Sequence, residues 1–159
     1  MKNIHIRKAT LNDTKAIQKL NHELFKLEKK SFDSTLITDW PLSQTGKEYF
    51  EDLINDEYVI VAVDNETVIG YLAASINEKT SYSLIQYGEI NNMFIDEKYR
   101  KQGIGKILID NFKEYCIDNG IQNLKVVASF KNKDAQKFYK KLGFNEFDIT
   151  LTTSIDALI

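Results

Sequence analysis

Tyr99-Arg100-Lys101-Gln102-Gly103-Ile104-Gly105-Lys106 joins two segments of different periodicity. Upstream, Glu89-Ile90-Asn91-Asn92-Met93-Phe94-Ile95 has the character of a strand. Downstream, Ile107, Leu108, Phe112 and Tyr115 give helix spacing over Lys106 to Asn119. The loop therefore opens a helix, where the first N–H groups lack partners and the dipole is positive. Gly103 and Gly105 let an anion approach that backbone closely, and Arg100, Lys101 and Lys106 add charge. By mechanism this is a phosphate site. It is not a Walker-type loop, because Lys106 is followed by Ile107 rather than Ser or Thr. It is not a dinucleotide fingerprint, because Leu108 stands where a third small residue belongs. Taken alone, the glycines also fit a plain strand-to-helix turn.

A second pattern follows in Asn132-x-x-Ala135-x-x-Phe138-Tyr139-x-x-Leu142-Gly143-Phe144. Together with Arg100-x-x-Gly103-x-Gly105 after an extended strand, it resembles the GNAT family of acyl-CoA-dependent N-acetyltransferases. The resemblance is most specific from Glu89 to Phe144 and compatible with the whole chain.

Composition bounds the remainder. At 159 residues, 43% hydrophobic and 28% charged, the chain reads as a single domain, 1–159, with one substantial core. Net charge is −2 without a basic block, which argues against a nucleic-acid partner. No apolar run reaches transmembrane length, and the start of the chain lacks a signal-peptide core, so no membrane partner is expected. The one cysteine, Cys116, excludes an intramolecular disulfide and fits a reducing cytoplasm. His5 and His22 have no metal-ligand company, and no metal is implied.

From the beginning, Met1 to Arg7 alternates as a strand. Asn12-Asp13 supplies an N-cap to a helix with Ile17, Leu20, Leu24 and Leu27 on one face. Lys29 to Gln44 reads as a loop and Gly46 to Asn55 as a short helix. Tyr58–Val63 and Thr67–Ile76, joined by Asp64-Asn65-Glu66, form a hairpin, and a further antiparallel strand ends at Ile95. After the long helix, Leu124 to Ser129 is a strand parallel to the one ending at Ile95. Asp134 to Leu142 is the last helix, followed by two expected closing strands, Phe144–Phe147 and Asp148–Ile155. The fold class is α/β: a GNAT-like, mostly antiparallel mixed sheet with one splayed parallel pair and helices on both faces.

The resemblance implies a site built largely from backbone. Met93, Phe94 and Ile95 would hold pantetheine and the acetyl carbonyl of acetyl-CoA. The amides of Gln102, Gly103, Ile104, Gly105 and Lys106, with Arg100 and Lys101 beside them, would hold pyrophosphate, and Asn132 and Ala135 would line the far side. By spacing alone Tyr139 is a core residue; by the resemblance it lies near the cofactor sulfur and protonates the departing thiolate. A thiol near ~8.5 and a phenol near ~10 make that transfer modest uphill work.

Glu89 is the second catalytic candidate and the best local choice of base for an amine that arrives protonated; a wet strand start after Gly88 accounts for it nearly as well. The acceptor pocket is expected between the first two helices, from Phe32, Asp39 and Trp40, with Asn91 facing it. Glu28, Asp33 and Asp39 favour a cationic acceptor or are solvated loop charges. The activity implied is acetyl transfer to a primary amine by direct attack, with a CoA-binding regulatory module as the alternative. The sequence does not choose among polyamine, antibiotic, amino acid and protein N-terminus, and it leaves room for a homodimer.

Overall fold

Tyr58 to Asp64 is buried along its whole length, as a strand covered on both faces must be, and the fold is layered around it. The structure, a computed structural model, describes residues 4–158. The strands are β1 (Ile4–Lys8), β2 (Tyr58–Asp64), β3 (Thr67–Ile76), β4 (Tyr87–Ile95) and β5 (Asn123–Val126), in the spatial order β1-β2-β3-β4-β5. Every pairing is antiparallel except β4 with β5. The β2–β3 turn is made without glycine: Asn65 and Glu66 both take positive φ, 45° and 70°, the combination a tight two-residue hairpin requires. The part of the expected first strand before Ile4 lies outside the described residues.

Helices α1 (Thr14–Ser31) and α2 (Gln44–Asp56) cover one face, where Ile17, Leu20, Phe50 and Leu53 pack on Val59, Val61, Tyr71 and Phe94. The other face is covered by α3 (Ile104–Asp118) and α4 (Lys133–Lys141). The helix α3 starts two residues earlier than its spacing suggested. Its inward stripe is Ile104, Leu108, Ile109, Phe112 and Cys116, and Ile107 is left exposed. Among the described residues no helix is long and apolar enough to cross a membrane.

Asp13 is not the side-chain cap that the sequence suggested. Its carboxylate accepts two bonds from the Arg7 guanidinium, at 2.7 and 2.9 Å, and one from the Thr10 N–H at 2.8 Å, tying β1 to the start of α1. The Arg7 bond, outweighing a partial burial that acts in the opposite direction, holds the Asp13 carboxyl below the usual carboxylate range. A depressed carboxylate stabilises the fold above its unfolded pKa near ~4, and that contribution disappears as pH falls through the lower folded value. Asp13→Asn is therefore expected to cost about 1–2 kcal/mol at pH 7, the partner Arg7 being partly solvated. Paired thermal melts should show a gap of roughly 3–6 °C that narrows in acid.

Two further corrections concern the sheet. Between Ala73 and Ala74 the register with β4 shifts, because Asn91 is an extra residue: Ala73 faces Asn92 and Ala74 faces Ile90. Alternation along β4 is broken there, so Glu89 and Met93 do not share a face as simple counting implies. Met93 packs with the α3 side, while Asn92 reaches Tyr49 of α2.

The two closing strands are absent. Residues 144 to 154 form no strand, and a short 3-10 turn, Ile155–Leu158, follows. The segment pairs with no neighbouring strand among the described residues, and Glu146 is held at the end of α4 by an ion pair with Lys140.

Candidate active site

The parallel pair is short. β4 and β5 are in register only from Tyr87 opposite Asn123 to Ile90 opposite Val126. Beyond that point β4 continues to Ile95 while the other chain leaves the sheet, so the two diverge. A cavity of about 490 Å³ occupies the divergence. Asn91, Asn92 and Met93 form one wall, Val126 to Ser129 the other, and Asn132, Ala135 and Tyr139 close it from α4. α4 begins under control of Asn132, whose side-chain oxygen accepts from the Ala135 N–H at 3.0 Å.

The opposite end is lined by Asn21, Leu24, Phe25 and Glu28 of α1, with Trp40 and Tyr49. Phe25 stacks on Trp40 at 5.9 Å between centroids, and Trp40 lies 5.4 Å from Tyr49, so three rings make a continuous apolar wall. Polar groups facing this end are rich in acceptors. Asn21 gives its amide N–H to the Tyr71 hydroxyl at 2.7 Å, and its carbonyl oxygen, like that of Asn92, is buried without a partner among the described residues. Burial, reinforced by the nearby charge of Asp33, pushes the Glu28 carboxyl above its ordinary pKa. A carboxylate at the end of an aromatic wall suits a ligand that brings N–H donors.

The sequence candidates divide accordingly. Tyr139, Met93, Asn132, Ala135, Trp40 and Asn91 all line the one cavity. Phe32 and Asp39 do not: Phe32 closes α1 through its N–H to the Glu28 carbonyl, and Asp39 is 88% exposed in its side chain, with its carboxylate on His22 at 3.0 Å. Glu89 does not line the cavity either; its carboxylate takes bonds from Lys125 and the Asn77 amide, each 2.9 Å long. Sequence reasoning passed over Asn21, Phe25, Tyr49 and Asn92, and it offered Glu28 either as a charge favouring a cationic acceptor or as a solvated loop charge; the structure places Glu28 in the cavity lining. A signal existed in Asn21, Leu24, Phe25 and Glu28, which fall at helical face spacing with polar residues at both ends of the stripe.

In the phosphate loop the conformational work is divided between Lys101, at φ 60°, and Gly103, at φ 84°, which caps α3. Gly105 lies inside α3 and serves packing: a Cβ there would sit 3.1 Å from the Phe138 ring and 3.4 Å from Ile95 Cδ1. Packing against Phe138 is thus a second reason for glycine at this position, beside the expected approach of an anion. Arg100 is also committed, donating from Nε to the Ile95 carbonyl at 2.9 Å and lying 4.8 Å from the Phe94 ring centroid. Lys106 pairs with Asp110, and the Gln102 amide donates to the Lys98 carbonyl at 3.1 Å. What faces outward from this loop is chiefly the first turn of α3, with its intrinsically unpaired N–H groups.

Burial pushes the Tyr139 phenol up to about 12. It is a weaker acid than the sequence alone suggested. Its ring is fixed by edge contacts with Phe138 and Phe144, 5.2 and 5.4 Å between centroids. No cluster of metal-ligating side chains occurs among the described residues.

Strand divergence, the α3 N-terminus and a tyrosine in the intervening cavity make up the candidate site. The model of the acetyltransferase (GNAT) family matches residues 21–144, and the chain belongs to that family. An uncharacterized N-acetyltransferase of Methanocaldococcus jannaschii is 30% identical over 103 residues, 64% of this chain and 46% of the relative. The thialysine N-epsilon-acetyltransferase of Bos taurus is 28% identical over 147 residues, 88% of this chain and 83% of the relative. The chain thus spans about half the length of the archaeal relative and most of the bovine one.

Among solved structures, a mutant of a Bacillus halodurans protein superposes with a TM-score of 0.83 at 20% identity, covering 95% of this chain and 99% of the other. An aminoglycoside N-acetyltransferase in complex with CoA superposes at 0.74 and 18% identity, covering 97% and 95%. At these identities the superpositions establish the fold.

Proposed function

We propose that this chain is an N-acetyltransferase that moves an acetyl group from acetyl-CoA to a primary amine, both substrates being bound together and the amine attacking directly. The observation that carries the reading is the shared cavity: Tyr139 and Asn132 on the cofactor side and Glu28 and Trp40 on the acceptor side line one space. Acetyl-CoA supplies the acetyl group as an activated thioester. The open edge of β4 at Met93 and the first turn of α3 beyond Gly103 would hold its pantetheine and pyrophosphate, and Ala135 its far side. Tyr139 holds a proton beside the leaving group, and the aromatic wall keeps water from the acceptor end. The single cysteine, which leaves no intramolecular disulfide, supports a cytoplasmic setting. The net charge of −2 favours neither nucleic acid nor an anionic membrane as partner.

The acceptor proposed is a cationic small molecule or an exposed lysine-like amine, since Glu28 brings a carboxyl group to the acceptor end of the cavity. Similarity to the bovine thialysine enzyme supports the same class. Release of free thiol from acetyl-CoA, followed across amines and peptides, tests the reading. Turnover with one acceptor class identifies the substrate, whereas CoA binding without turnover across the panel gives the regulatory-module reading.

The two carboxylates carry distinct signatures. Glu28→Gln should raise the acceptor KM by ~10-fold or more with little change in kcat, as loss of ground-state binding does. Glu89, if it accepts the amine's proton through solvent, should when changed to Gln lower kcat/KM by roughly 10–10³-fold at neutral pH. That deficit should shrink toward pH ~10, where free amine is abundant. Superimposed pH–rate curves remove Glu89 from the mechanism.

A further inference from the structure

Three residues of α1 meet three successive residues of the loop that follows it. Gln18, His22 and Phe25 stand at i, i+4 and i+7, on one side of the helix. The Gln18 amide donates to the Pro41 carbonyl at 2.7 Å, His22 Nε2 lies 3.0 Å from the Asp39 carboxylate, and Phe25 stacks on Trp40. These contacts differ in weight. The Asp39 carboxylate is exposed, so its bond competes with water. The Gln18 bond is sheltered, because Gln18 and Pro41 are both buried. The Trp40 carbonyl accepts from Ser43 Oγ at 2.6 Å, and Gly46 brings α2 so close to the carbonyls of Trp40 and Pro41 that any side chain there would collide with them. The backbone that carries Trp40 is thus held from both helices. Gln18 stands between Ile17 and Leu20, which are buried in the apolar layer beneath α1. For packing alone methionine would serve there; what the amide adds is the bond to the loop.

We propose that Gln18 is a positioning residue for the acceptor: through the Pro41 carbonyl it sets where the Trp40 ring stands over the cavity. The inference rests on the acetyltransferase reading, which puts the acceptor at the Glu28 and Trp40 end. Trp40 lines the cavity and Gln18 does not, so Gln18 acts through the ring. Without the Gln18 donor, the Pro41 carbonyl loses its buried partner, and the turn is driven to move until the oxygen finds another. A small movement is enough. A gap of about 0.5–1 Å forfeits roughly a quarter to a half of a van der Waals contact, so an acceptor stem lying on Trp40 is held less tightly once the ring shifts. Tyr139 and Asn132 line the cofactor side of the cavity from α4 and lie outside this hold. The effect therefore falls on acceptor binding rather than on the chemical step.

Gln18→Met, which keeps the length of the side chain and removes the donor, tests this, with Ile17→Val as a control that loosens the same helix without touching the loop. The probes are cadaverine and Nα-acetyllysine amide, two amines on apolar stems, followed by thiol release from acetyl-CoA. In Gln18→Met the acceptor KM should rise ~5–20-fold, with kcat within ~2-fold of the parent and CoA affinity unchanged by calorimetry. In Ile17→Val all three should stay near the parent. Trp40 is the only tryptophan of the chain, so its emission reports this ring alone. The emission should move to longer wavelength in Gln18→Met and not in Ile17→Val. On a Trp40→Ala background, Gln18→Met should change the acceptor KM by less than ~2-fold further, because both substitutions act on one ring. Unchanged emission in Gln18→Met, an acceptor KM equal to the parent's, or full additivity with Trp40→Ala overturns the proposal. A parent that releases no thiol with either amine counts instead against the acetyltransferase reading, and the emission, measured without substrates, then decides whether Gln18 holds Trp40. Should Gln18→Met fail to fold, Gln18→Asn, whose amide stops one methylene short of Pro41, carries the same readouts.

Discussion

Tyr139→Phe is expected to lower kcat by ~10²–10⁴, the usual worth of a positioned general acid, while leaving CoA affinity and stability near those of the parent. Phenylalanine keeps the edge contacts with Phe138 and Phe144 that fix the ring, so the substitution removes the hydroxyl and little else. The direction of the pKa shift shapes the pH profile. Burial raises the phenol to about 12, so it stays protonated through neutral and mildly alkaline pH, and loss of activity from its ionisation belongs only to the approach to that value. A thiol near ~8.5 is then the stronger acid by about three to four pKa units. In the proposed reaction Tyr139 would therefore contribute chiefly by donating a hydrogen bond as charge develops on sulfur, with the proton passing late. Single-turnover rates for parent and variant, with CoA affinity measured by calorimetry, check this. Equal rates where chemistry limits turnover return Tyr139 to a packing role.

The legible parts of this molecule were those in which neighbours in sequence set the outcome. The hairpin follows from two β-rich runs around Asn65 and Glu66. The change of period at Tyr99 to Lys106 places a helix start after a strand. The parallel pair follows from strand, long helix and strand in succession. What escaped depended on contacts distant in sequence or on a single inserted residue. Asn21 meets Tyr71 fifty positions away, and nothing local to either announces that the amide's oxygen will be buried facing a cavity. One extra residue at Asn91 reverses which side chains of β4 share a face, because strand period is two and a slip of one exchanges the faces. Residues 144–155 carry strand chemistry, but a strand needs a partner edge, and propensity does not name the partner. Asp39 read as an acceptor-pocket charge; its bond to His22 fixes it instead on the exposed side of the loop.

Gly103→Val should raise the Kd for CoA by ~10²–10⁴ while the protein remains folded. Gly103 sits at φ 84° as the residue that caps α3, and no atom lies within 4 Å of where its Cβ would be. The obstacle to valine is therefore backbone conformation rather than space: a β-branched residue is strongly disfavoured at positive φ. The least costly relief rotates the loop out of the left-handed region and turns the first N–H groups of α3 away from their present direction. Hydrogen bonds to a charged group are worth about 1.5–3 kcal/mol each, so losing two of them gives ~3–6 kcal/mol, which is the stated range of affinity. Gly105→Ala is the contrasting case. Its Cβ would press on Phe138 and Ile95 inside the α3–α4 packing, so it should lower thermal stability first and CoA affinity only as the helices shift. Calorimetric titration with CoA, beside thermal unfolding of all three proteins, separates the two glycines. A folded Gly103→Val protein that binds CoA as tightly as the parent would remove the start of α3 from the pyrophosphate site.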